Sequence, residues 1–123
     1  MLSRLKNLIR IIPLLCWSFL IVVLSTRENI PDTSGFVKFP GFDKTAHAGA
    51  YFIWCLFGFF ALAGKKMANF GSVVVVSTAI GLGILLEYVQ LWFFPARFFE
   101  VLDIISNIIG ALSSLLAKRF LTP

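Results

Sequence analysis

Four long apolar runs divide the chain, at about 8–25, 46–64, 70–93 and 101–117, with basic or polar stretches between them. None alternates with the period of two that marks a half-buried strand. Each is close to the ~20 residues a helix needs to cross a hydrocarbon core. The pattern predicts an all-α fold, an integral membrane four-helix bundle forming one domain over residues 1–123. Pro13 lies about a turn inside the first run, where a membrane helix tolerates it. Arg4, Lys6 and Arg10 beside that run would also suit a signal peptide. Ser25 and Thr26 offer no convincing small-residue cleavage site, however, so a retained helix is expected.

Composition sharpens this reading. Of 123 residues, 59% are apolar and 14% charged. A soluble domain of that size has too little interior to hide so much apolar side chain. A disordered chain would be rich in charge and poor in aromatics. The net charge of +5 would suggest nucleic acid in a soluble protein, but here Lys and Arg flank the apolar runs. Nucleic acid is therefore not an expected partner. Cys16 and Cys55 lie within apolar runs and lack CxxC spacing, which argues against a disulfide framework or a zinc site.

The basic residues also predict an orientation. With four spans, both termini share a side with the middle loop. That side carries seven cations (Arg4, Lys6, Arg10, Lys65, Lys66, Lys118 and Arg119), against Arg27, Lys38, Lys44 and Arg97 on the other. Cytoplasmic termini follow from that bias. All six acidic residues, Glu28, Asp32, Asp43, Glu87, Glu100 and Asp103, fall in the outward half. Phe36, Phe39 and Phe42, with Trp92, Phe93, Phe94, Phe98 and Phe99, suit an aromatic belt at the same surface.

The polar residues inside the spans recur at helical spacing. Asp43, His47 and Tyr51 are four apart and share a face, with Lys44 three before His47. Asp43 also suits the positive end of a helix. Glu87 and Gln90 share a face near the outer end of the third run, and Arg97 follows in the next connection. Asp103 and Asn107 open the fourth run, and Gly110 and Ser114 continue their stripe. A carboxylate inside a span costs a few kcal/mol even on the gentler insertion scale, so these groups are expected to face the bundle interior. Individually each has a structural account, as a cap, an interfacial side chain or a packing residue. Together His47, Glu87, Gln90, Arg97, Asp103 and Asn107 are expected at one depth. That leaves a polar knot fixing helix register or a ligand or reaction site.

The same residues carry a family resemblance. Asp43-Lys44-x-x-His47-x-x-x-Tyr51, Glu87-x-x-Gln90, Pro95-x-Arg97 and Asp103-x-x-x-Asn107-x-x-Gly110 resemble the signature of the VanZ-like family over about residues 41–117. The first helix matches only as an apolar segment. Small residues commonly follow the Arg in that family, whereas Phe98, Phe99 and Glu100 follow Arg97 here. The resemblance implies a multi-pass protein of the bacterial cytoplasmic membrane and, for the founding member, low-level resistance to the glycopeptide teicoplanin.

An outward pocket with Lys44, His47 and Arg97 could grip a phosphate or carboxylate, by point charge and by paired donors. The leading expectation is recognition, with or without modification, of a lipid-linked envelope component or amphiphile, membrane lipids and a glycopeptide being the partners considered. For an enzyme, His47 with Glu87 or Asp103 is the candidate acid/base set. Asp43, Lys44, Tyr51, Gln90, Arg97 and Asn107 are the candidate ligand-binding residues. No cofactor is expected; a divalent metal held by His47 and the carboxylates is a lesser alternative and not the expectation, because no ligand spacing here is diagnostic of one. The competing readings are a proton- or ion-coupled transporter subunit and a structural or assembly protein.

Overall fold

A computed structural model describes residues 1–26, 42–63, 68–94 and 99–120. Among them the secondary structure is α1 (Leu2–Thr26), α2 (Phe42–Leu62), α3 (Ala68–Phe93) and α4 (Val101–Lys118), with no strand. All four helices are long and apolar enough to cross a membrane. The all-α, four-helix expectation is met, but three helices start earlier than the apolar runs. The first begins at residue 2 rather than 8, the second at 42 rather than 46 and the third at 68 rather than 70. Hydropathy marks where lipid contact begins, whereas the helical hydrogen-bond ladder also admits Arg4, Lys6 and Asn7. At α2, Asp43 in the first turn meets the positive helix end and extends the helix.

The second helix is central. It touches every other helix and packs most extensively on α4; α1 lies on α2 and more lightly on α3. The apolar core joins Tyr51, Trp54, Cys55 and Phe59 of α2 to Val75, Val76, Ala79 and Leu86 of α3, with Ala111 and Ile21 from the flanking helices. Close approach of α2 and α3 depends on Gly58, where a methyl group would meet Val75 Cγ1 at 2.7 Å. Large apolar side chains also cover the outside: Leu8, Phe19, Phe70, Val73, Trp92 and Leu116 are all exposed. Such an apolar exterior suits lipid and not water.

Peripheral α1 buries only Ile21. Two indoles hold it in place. The Trp17 Nε1–H donates to the Ala50 carbonyl at 2.9 Å, and the Trp54 Nε1–H donates to Ser18 Oγ at 2.8 Å. Polar contacts of this kind fasten helices where no hydrophobic effect separates protein from lipid tails.

The bundle has two chemically distinct ends. At one, the Arg10 guanidinium donates to the Ala63 carbonyl and the Lys118 ammonium donates to the Ser72 hydroxyl. The Arg10 contact satisfies a carbonyl just past the end of α2, which the helix itself leaves open. The other end gathers carboxylates, amides and the histidine.

Candidate functional site

The polar end is assembled from all four helix termini. The first turns of α2 supply Asp43, Lys44 and His47, the start of α4 supplies Asp103 and Asn107, and Glu100 precedes α4. Glu87 and Gln90 come from the end of α3, and Ser25 from the end of α1. Along α4 the buried residues are Asp103, Asn107, Gly110, Ala111 and Ser114, one stripe at helical spacing. The small members let α4 lie against α2, which brings the polar members onto the first turns of α2.

Lys44 sits at the centre. Its ammonium lies 3.1 Å from Asp43 Oδ2 and also contacts Glu100 and Asp103. His47 lies beside it. Its Nδ1 is paired with Asn107 Oδ1 at 3.2 Å. The other ring nitrogen, Nε2, is 3.7 Å from Asp43 Oδ1 and 3.6 Å from Asp103 Oδ2. Deeper in, the buried Glu87 accepts the Glu100 backbone N–H at 3.3 Å. Gln90 Nε2 donates to the Ser25 carbonyl at 2.7 Å and ties α3 to the last turn of α1. Among the described residues, no buried polar side-chain atom lacks a hydrogen-bond partner.

A cleft of about 190 Å³ opens beside this cluster, between α1 and α2. Ile21 and Leu24 form its apolar wall; Asp43, His47, Tyr51 and Ser25 supply the polar groups. Pockets for drug-sized ligands run to ~300–1,000 Å³. This one suits a single headgroup or a few waters.

The sequence-predicted residues are therefore only partly one group. Asp43, Lys44, His47, Asp103 and Asn107 meet directly. Glu87 joins them through the Glu100 backbone, Gln90 bonds toward α1, and Tyr51 lines the cleft with its ring buried. Of the two carboxylates considered as partners for His47, Asp103 is the one beside it. Arg97 lies outside the described residues, as do Arg27, Lys38, Phe36, Phe39 and Phe98. At the end of α3, Tyr88 packs on Trp92 and on Phe99, with ring centroids 5.5 and 5.3 Å apart.

Two contributors had escaped the sequence reading. Glu100 entered it as one of six outward acidic residues and as a departure from the family pattern, not as a site residue, yet it contacts Lys44 and supplies the N–H held by Glu87. Its place immediately before α4, close in sequence to Asp103, was the available signal. Helix α1 carries no comparable motif, because its contribution is the Ser25 carbonyl and an apolar wall.

Among the described residues, three carboxylates surround the Lys44 ammonium, so their local field is acidic. A histidine oriented by an amide and flanked by carboxylates has the form of an acid/base group. Compared with protein-family models, with curated proteins and with solved structures, the chain finds no match.

Proposed function

We propose that this is a VanZ-like multi-pass protein of the bacterial cytoplasmic membrane, with both termini cytoplasmic and the polar end facing outward. In this reading the polar end recognises the headgroup of a lipid-linked envelope component or another amphiphile. One observation carries it: Asp43 and His47 belong both to the charged cluster and to the lining of a cleft whose far wall is Ile21 and Leu24. A polar side facing an apolar side is what an amphiphile needs. The size of the cleft restricts the engaged part to a headgroup, because a whole glycopeptide exceeds it. Lys44 is already surrounded by carboxylates, so the groups left to engage a ligand are the carboxylate oxygens and His47. A link to teicoplanin resistance rests on the family resemblance alone.

The test is ligand retention. The protein is purified in mild detergent and its bound lipids are identified by mass spectrometry, alongside His47→Ala. The expected result is one amphiphile enriched in the parent protein and depleted at least tenfold in the variant. Identical profiles from two well-folded samples would overturn the reading.

Full pairing of the buried polar atoms supports a second reading, in which the cluster only fixes helix register. That reading expects His47→Ala to lower folded yield with no amphiphile to lose.

A further inference from the structure

We propose that Asp43, His47 and Asp103 form a site for a divalent transition-metal cation of the Zn²⁺ type, bound through one imidazole nitrogen and two carboxylate oxygens. One potential ligand atom from each residue lies within 4.8 Å of the others. His47 Nε2 stands 3.7 Å from Asp43 Oδ1 and 3.6 Å from Asp103 Oδ2. Both separations exceed the 2.7–3.2 Å typical of N–H···O hydrogen bonds. They approach the roughly 3.4 Å that separates two ligands set ~2.0–2.1 Å from a tetrahedral zinc.

The setting of the imidazole points the same way. His47 Nδ1 is paired with Asn107 Oδ1, and its Nε2 faces two carboxylate oxygens. A hydrogen bond on the second ring nitrogen is also what orients histidines that ligate metals. Asn107 fills that supporting position.

Lys44 does not obstruct the site. It approaches Asp43 Oδ2 and Asp103 Oδ1, whereas His47 faces Asp43 Oδ1 and Asp103 Oδ2. Each aspartate thus shows one oxygen to the ammonium and the other to the imidazole. Among the described residues the cluster sets the carboxylates of Asp43, Asp103 and Glu100 against the ammonium of Lys44, an acidic setting that suits a cation. A mixed nitrogen and oxygen set suits Zn²⁺ or Mn²⁺ more than Ca²⁺ or Mg²⁺, which prefer oxygen alone. Asp43 and His47 adjoin on α2, and Asp103 arrives from α4 to complete the set.

Three protein ligands leave a coordination position open. Asp43 and His47 line the cleft, so that position is accessible from it. The cation would then let an acidic cluster hold an anionic headgroup; this step rests on the amphiphile reading, whereas the metal site does not.

The full chain in detergent is stripped with a chelator, then titrated with Zn²⁺ and, for spectroscopy, with Co²⁺. The expected result is one ion per chain and visible Co²⁺ absorption of a low-coordinate site. Asp43→Asn and His47→Gln should each weaken binding at least a hundredfold, and Asn107→Ala by roughly ten- to a hundredfold. Asp43 is the decisive position because its side chain is 67% exposed, so its replacement spares the fold. Absence of stoichiometric binding, or equal binding by Asp43→Asn, would overturn the metal site. Lipid profiles of the same samples separate the two proposals: amphiphile retained without metal defeats this inference alone, and metal bound without amphiphile supports it and defeats the other.

Discussion

Gly110 of α4 lies directly against the backbone of Ala48 in α2: a methyl group at position 110 would fall 2.7 Å from the Ala48 carbonyl carbon and nearer still to its oxygen. Backbone cannot move aside as a flexible side chain does, so the two helices would have to separate. Gly110→Ala is expected to destabilise the fold by about 3 kcal/mol, the upper end of the usual overpacking range. Thermal unfolding in detergent, followed by size-exclusion recovery, checks this. An unchanged midpoint would mean that α4 does not approach α2 here.

The position of Gly83 bears on His47 indirectly. A methyl group there would meet Asn107 Nδ2 at 2.8 Å and Asn107 Cβ at 3.3 Å. The carboxamide can rotate away, and the Asn107 hydrogen bond to His47 is then lost. Gly83→Ala is expected to cost about 1–2 kcal/mol, from the lost bond and mild overpacking. Nitrogen NMR of the imidazole is the sharper readout: the Nδ1 resonance should differ between parent and variant. An unchanged resonance would refute the coupling.

Helix number, the polar depth and most of the cluster were legible in the sequence, because membrane solvation leaves few options. A charged side chain within an apolar run must face protein, and helical spacing then fixes which neighbours share its face. Asp43 with His47, and Asp103 with Asn107, follow from that rule alone. Helix ends were less legible: residues 2–7 of α1 are too polar for an apolar run, yet nothing in them opposes the helical ladder. The pairing of His47 with Asp103 over Glu87 depends on how α4 seats against α2. That seating is set by Gly110, whose role a hydropathy pattern does not reveal. Glu100 was missed because it lies before the apolar run of α4, and the cleft was missed because half its wall is plain aliphatic side chain.

The attachment of α1 can be apportioned by a double-mutant cycle. Trp54→Phe and Ser18→Ala remove the two partners of the 2.8 Å bond in turn. Each single change is expected to cost about 1 kcal/mol, and the coupling should be close to 0.6 kcal/mol, as for other interhelical bonds in lipid. Equilibrium unfolding of the four proteins in mixed micelles measures it. Strictly additive losses would show that the bond contributes nothing beyond packing. Trp17→Phe, which frees the Ala50 carbonyl, should cost a similar amount.

Lys44 provides the most direct test of the cluster's electrostatics. Its side chain is 29% exposed, and it faces the carboxylates of Asp43, Glu100 and the nearly buried Asp103. Lys44→Met keeps the length of the side chain and deletes the charge, leaving three carboxylates to repel one another. The expected loss is roughly 2–4 kcal/mol, lessened from the fully buried case by solvent and by the exposure of Asp43. Removing a carboxylate as well should relieve the repulsion, so Lys44→Met with Asp103→Asn is expected to recover at least half of the loss. Denaturant midpoints of the parent, both single variants and the pair decide the matter. If the double variant is no more stable than Lys44→Met alone, the ammonium is not what holds Asp103 in place.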